Sequence, residues 1–238
     1  MANFPFQRLQ SDLAALIERT PAGSRLVSEP ELAKQLGVSR ATLREAMRTF
    51  ETQGLIRRRQ GAGTFVVGKV PVMDAGLEVL ESLETMASRR NLAITVSDLT
   101  VEQVDANEDE SAGLGVEPGT CLTRVRRVMR ADTRPVAYLI DVLPEMVLRI
   151  NDVPQGFNGS VLDFLIERGD HLRISRAAIS ATNATADVAK ALEIQRGDVL
   201  LRFISQLYTA DGRIVDYSTS YFIPGYFNFH VNRHVGNI

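Results

Sequence analysis

The chain has 238 residues, is 45% apolar and 24% charged, and carries a formal charge of −2, the profile of a globular protein with room for one small and one medium domain. No apolar run approaches the roughly 18 residues of a membrane span, and the charged, amphipathic N-terminus does not read as a secretory signal, so the expected compartment is the cytoplasm. The single cysteine, Cys121, excludes an internal disulfide, and with three scattered histidines no structural zinc site or other cofactor is expected.

The small net charge conceals an asymmetry. Residues 1–70 hold 11 Lys and Arg against 6 Asp and Glu, whereas residues 71–238 hold 16 against 23. A basic segment beside an acidic one points to a polyanionic partner at one end only.

Phe6, Leu9, Leu13, Leu16 and Ile17 recur at helical spacing and predict a helix over 5–19. Pro21, Gly23 and the strand-like Arg25–Val27 end it. Ser28-Glu29-Pro30-Glu31 reads as a capping box, with Ser28 capping the backbone and Glu31 reaching back. Pro30 falls in the first turn, where a missing N–H costs little. This helix, 29–36, stops at Gly37. Ser39 caps the next, 40–53, whose buried stripe is Leu43, Ala46, Met47 and Phe50. Two helices joined by a short glycine-containing turn are a helix-turn-helix.

That stripe leaves Ala41, Arg44 and Arg48 facing outward, with Arg40 and Thr42 in the exposed first turn. A recognition helix presents side chains to the major groove from this position, and an arginine fork meets guanine O6 and N7 together. Leu55-Ile56 and Thr64–Val67 read as short strands around Arg57-Arg58-Arg59-Gln60-Gly61-Ala62-Gly63, a basic, glycine-tipped hairpin suited to a phosphate backbone or a minor groove. Any one of these arginines could simply solvate a surface. Helix, turn and basic wing in this order make DNA binding the stronger reading.

The stretches 26–33 (LVSEPELA), 36–46 (LGVSRATLREA), Gly54-Leu55-Ile56 and 61–66 (GAGTFV) together resemble the GntR family of repressors. The resemblance implies that Arg40, Arg44 and Thr42 contact operator DNA together with a wing glycine. The candidate DNA contacts are therefore Ser28, Ser39, Arg40, Thr42, Arg44, Arg48, Arg58, Arg59, Gln60, Gly61 and Gly63. One departure stands out. The family's Pro-Ser-Glu-Arg-Glu-Leu arginine, which also touches the operator, is Pro30 here.

Residues 70–90 read as a linker, with 75–90 helical and Gly68 to Asp74 as a hinge. Beyond them the sequence repeats. Residues 114–124 (LGVEPGTCLTR) parallel 192–202 (LEIQRGDVLLR), and 131–138 (ADTRPVAY) parallel 210–217 (ADGRIVDY). Each copy reads strand, helix (104–114; 185–193), strand, turn at Ala-Asp, strand. A helix near 160–168 separates them. The expected class is α+β, an antiparallel sheet with helices packed against it. Alternation at Leu122, Arg124, Arg126 and Val128 supports the strand reading.

This half is similar to the UTRA effector domain of the HutC-type GntR branch, whose fold is chorismate-lyase-like. The resemblance implies an effector pocket between the two copies, with Arg124 and Arg126 supplying positive charge, Asp216 holding a hydroxyl or amine, and Phe222 beside it. The expected effector is a small anion, and the expected assembly is a homodimer on double-stranded operator DNA, with no membrane partner. Three departures make the pocket less polar than in phosphosugar sensors. Leu139 replaces a glutamate, Phe222-Ile223-Pro224-Gly225 replaces Tyr-Arg-Gly-Asp, and no Thr-Ser-Phe loop opens the linker helix.

The domains are thus expected at 1–69, 70–90 and 91–238. An enzyme is the rival reading, because the C-terminal fold is shared with a lyase. No nucleophile motif, metal spacing or phosphate-cradling glycine loop accompanies it. RNA binding is a second rival, but no aromatic stacking platform sits near the basic residues. A ligand-controlled DNA-binding regulator, most simply a repressor, accounts for both halves.

Overall fold

Helix α1 (Phe4–Arg19) buries Leu9, Leu13 and Ile17 on one stripe, against which α2 (Glu29–Gln35) sets Leu32 and Ala33. The third helix, α3 (Arg40–Thr52), adds Leu43, Ala46, Met47 and Phe50 to the same core, as its periodicity predicts. Strands β1 (Ile56–Arg59) and β2 (Gly63–Val66) pair antiparallel, and Ile56 and Val66 close the core from below. Arg57, Arg58 and Arg59 are strand residues rather than the hairpin tip. The computed structural model describes residues 4–59, 62–67, 73–89 and 92–233. The chain folds as two units, residues 1–72 and 73–238.

The expected capping box at Ser28 does not form, since the Ser28 side chain makes no cap hydrogen bond. Pro30 is the second helical residue and lacks one of the two N–H groups that a capping oxygen accepts from. A capping box does form at α5 (Glu108–Leu114). There Asn107 accepts from the Glu110 N–H, and the Glu110 carboxylate accepts from the Asn107 N–H.

The segment expected to be one helix from 75 to 90 divides. Met73–Gly76 is strand β3, and only Leu83–Arg89 is helical, forming α4. A distant partner overrides the local pattern: β3 pairs in parallel with β10 (Phe227–His230), and both Met73 and Ala75 are buried on the strand period. Both elements belong to the second unit, and the hinge expected at Gly68 to Asp74 lies mostly outside the described residues.

The second unit is built on β4 (Ile94–Asp105), β5 (Cys121–Ala131), β6 (Arg134–Pro144), β7 (Leu172–Asn183), β8 (Val199–Thr209) and β9 (Ile214–Phe222). Their order is β4-β5-β6-β9-β8-β7, all antiparallel, so the two repeats meet at β6 and β9. The repeat extends to the backbone. Gly119 N–H donates to Ala106 as Gly197 N–H donates to Ala184, each at 2.9 Å. The helix of the first repeat, α5, starts later than predicted because β4 runs on to Asp105, and α7 (Ala186–Ala191) starts one residue later, with Thr185 as its N-cap.

On the first face of the sheet α5 lies over Tyr217, whose ring would be 2.5 Å from a Cβ built on Gly113. On the second face α6 (Val161–Arg168) packs Val161 and Leu165 onto Val125, Leu143 and Leu207. Among the described residues no helix is long and apolar enough to cross a membrane.

Candidate functional site

In the first unit, Ser39 caps α3 by accepting from the Thr42 N–H at 3.1 Å, and its hydroxyl lies 2.8 Å from that of Thr42. Arg40, Thr42 and Arg44 are exposed on this helix, and Arg48 is half-buried, with Glu45 at 3.4 Å. Glu29, the first residue of α2, joins the helix to the wing. One of its oxygens takes Arg44 Nε at 2.6 Å and the other Arg58 Nε at 3.3 Å. Both arginines are held through the inner nitrogen, so the terminal fork is the outermost part of each side chain.

Arg59 lies over the Phe65 ring at 5.4 Å. Gly63 has φ +110°, a left-handed conformation that favours glycine, and a Cβ there would also push aside the Arg25 side chain 2.5 Å away. Ser28 is exposed beside Glu29. Gln60 and Gly61 lie outside the described residues.

In the second unit the four predicted effector residues do not share a face. Residues directly opposite in an antiparallel pair lie on one side of the sheet. The register Glu102–Arg124–Val142–Tyr217 and the register Thr100–Arg126–Ile140–Thr219 put both arginines on the first face, under α5. Their terminal nitrogens already face carboxylates, while Arg126 Nε is buried without a partner. Arg124 donates to Glu110 at 2.7 Å and to Glu102 at 3.4 Å, and Arg126 also donates to Glu102.

Asp216 and Phe222 belong to the second face. With them, on alternate residues of β9, are Ser218 and Ser220. Ser218 lies between Asp141 of β6 and Ser205 of β8, and Ser220 between Leu139 and Phe203. Arg127 sits opposite Leu139 on this face. It is almost fully buried, donating to Asp141 at 2.5 Å and to Glu84 of α4 at 3.3 Å. Gly159 lets the loop before α6 close over it, since a Cβ there would meet Arg127 Cδ at 2.5 Å. Burial pushes the Asp216 carboxyl well above its ordinary range, and the nearby Asp141 charge raises it further. Asp141 is itself raised by burial, against the opposing pull of Arg127. Asp216 Oδ1 and Glu84 Oε2 are buried without a hydrogen-bond partner.

Sequence reasoning missed Arg127, Asp141 and Glu84. A signal for Arg127 was present: it stands between Val125 and Met129 on the apolar phase of β5, where a charge is buried by default. Glu84 carried no such signal, because the helical reading of 75–90 hid where α4 begins. Ser82, just ahead of α4, donates to Asp163 at 2.6 Å and accepts from the Thr85 N–H. Among the described residues no three His, Cys, Asp or Glu side chains converge to hold a metal ion.

Comparison with known proteins agrees with this division. Residues 6–66 match the gntR family of bacterial regulatory proteins, and residues 89–228 match the UTRA domain. The chain is 30% identical over 198 residues to the HTH-type transcriptional repressor NagR of Bacillus subtilis (strain 168), covering 82% of this chain and 79% of that protein. It is 31% identical over 218 residues to the HTH-type transcriptional regulator Rv0792c of Mycobacterium tuberculosis, covering 90% and 79%. The fold is that of PhnF from Mycobacterium smegmatis, with a TM-score of 0.65 at 21% identity over 96% of this chain and all of the other. These relatives are regulators, not enzymes. A helix-turn-helix with a basic wing, followed by a UTRA sheet, makes this chain a member of the GntR family, a DNA-binding transcriptional regulator with a C-terminal effector domain.

Proposed function

We propose that α3 and the β1–β2 wing read the operator, and that the effector binds the second face of the UTRA sheet rather than the first. Base readout falls to Arg40, Thr42, Arg44 and Arg48, with Ser28, Ser39, Arg58, Arg59 and the wing from Gln60 to Gly63 on phosphates and groove edges. Glu102 and Glu110 already take the terminal nitrogens of Arg124 and Arg126, although Arg126 Nε is buried without a partner, so these arginines have less charge to offer an anionic effector. The observation that carries the effector assignment is the set of buried polar groups around Arg127, with Asp216 Oδ1 and Glu84 Oε2 unpartnered. Such groups cost stability unless something satisfies them.

A regulator of this kind works on the chromosome, in the cytoplasm, and represses until the ligand favours one arrangement of its DNA-binding domains. It acts as a homodimer on two half-sites about 34 Å apart. A second copy has a place to pair. Strand β7 is an edge with Ile174 and Ile179 exposed and runs in regular register from Ile174 to Asn183 after a shift at its start, whereas the opposite edge, β4, is interrupted within the strand by a register shift at Asp98. Bulged edges resist pairing and regular ones invite it.

The test is operator release in an anisotropy assay with the natural effector, using promoter DNA beside this gene. Ser220→Leu, which fills the second face, should keep operator binding and lose the response. Arg124→Ala with Arg126→Ala should keep both. The reverse pattern would place the effector on the first face.

A further inference from the structure

The charges on the second face do not balance. Arg127 pairs with Glu84 and Asp141, and Asp216 stands beside them as a third acid. Asp216 is only 6% exposed, yet Oδ1 has no partner, and Glu84 Oε2 is in the same position. An added anion would meet this excess of carboxylates unfavourably. A metal ion is also a poor match, because among the described residues no three acidic, His or Cys side chains converge on one point. A ligand with N–H donors spread around one positive centre fits the divided acceptors.

The same face changes character along β9. Asp216, Ser218, Ser220 and Phe222 follow one another on alternate residues. The row of Asp141, Ser218 and Ser205 is two residues, or about 7 Å, from the row of Ser220 and Phe203. Phe203 and Phe222 are buried there. Phe229 packs on both, at 4.7 and 4.9 Å between ring centroids, and Phe227 is 4.9 Å from Phe222. Phe227 and Phe229 remain half-exposed, as do Ser205, Ser218 and Ser220 in the middle of the sheet. Hydroxyls and carboxylates at one end and aromatic rings at the other form a two-ended lining.

We propose that this face selects a protonated amine on an apolar, aromatic body, with the ammonium against Asp216 and Asp141 and the body against Phe203, Phe222 and Phe229. This rests on the effector-site reading above and goes beyond it in naming the ligand class. The raised carboxyl of Asp216 is consistent, because an arriving cation stabilises the ionised form that burial disfavours.

The experiment uses the full chain and three probes on one frame: phenethylamine, 2-phenylethanol and phenylacetate, followed by titration calorimetry near neutral pH. Phenethylamine should bind at least tenfold more tightly than either counterpart. Asp216→Asn, isosteric and less costly to bury, should lose tenfold or more, while Arg126→Ala on the opposite face binds as the parent does. If Asp216→Asn fails to fold, Ser205→Lys supplies a tethered ammonium and should exclude the probe. Phenethylamine binding no better than 2-phenylethanol, or none of the three binding, overturns the amine proposal. Preference for phenylacetate that is lost in Ser220→Leu overturns the ligand class and leaves the site standing. Amine binding that survives Asp216→Asn and Ser220→Leu but is lost in Arg126→Ala overturns the site and moves amine selection to the first face.

Discussion

Glu29 Oε2 lies 2.6 Å from Arg44 Nε, so the first residue of α2 aims a side chain of the recognition helix. Arg44 remains half-exposed while Glu29 is largely covered, which makes the acid the anchor and the arginine the presented group. Truncating Arg44 to Ala should weaken operator binding by about 1–3 kcal/mol and leave random duplex little changed, as expected for a lost bidentate base contact. Competition binding checks it, and an unchanged operator-to-random ratio would remove α3 from the readout. Glu29→Gln should lower the same ratio less, because it releases the aim without deleting the fork.

Arg58 and Arg59, proposed to contact phosphates, stand on the wing strand. Replacing either with Ala should weaken all sequences alike and reduce the slope of log affinity against log salt by about 0.9. A loss confined to the operator sequence would instead assign the residue to base readout.

Gly113 faces the Tyr217 ring across the interface between α5 and the sheet. An added methyl cannot fit at 2.5 Å from ring carbons without lifting the helix or turning the ring. Gly113→Ala should therefore destabilise the second unit by about 1–3 kcal/mol despite its better helix propensity. Denaturant unfolding measures this, and a gain in stability would show that α5 yields freely.

Asp216 makes stability depend on pH. Burial holds its carboxyl well above 3.8, so between those values the folded chain keeps a proton that the unfolded chain has released. The contribution is fully present below the unfolded value and is lost as pH rises through the folded one. Asp216→Asn should melt above the parent at neutral pH, with the difference closing as the pH falls toward 3.8. Melting curves that run parallel across this range would mean that Asp216 is ionised in the folded state.

Strand β7 offers an unpaired edge with Ile174 and Ile179 exposed on its opposite sides. Lysine at both positions should reduce the proposed dimer to a monomer in sedimentation and weaken operator binding with it. A dimer that persists would move the interface away from this edge.

The sequence by itself determined the helix-turn-helix, the wing and the doubled strand-helix-strand unit. The helices and the wing depend on residues a few positions apart, such as the stripe Leu43, Ala46, Met47 and Phe50 and the cap at Ser39, and the doubled unit shows as a repeat of short local patterns, such as the Ala-Asp turns at 131 and 210. It did not reveal that Met73–Gly76 is a strand, because its partner Phe227–His230 is more than 150 residues away and a local window reads only the helical pattern. Nor could it choose between Arg124 with Arg126 and Arg127. One residue of parity along β5 moves a guanidinium from the face under α5 to the face under α4 and α6, and the decision falls to whichever helices cover each side. Only the tertiary structure brought Arg127, Asp141, Glu84 and Asp216 together, since burial by distant elements turns four separate charges into one site.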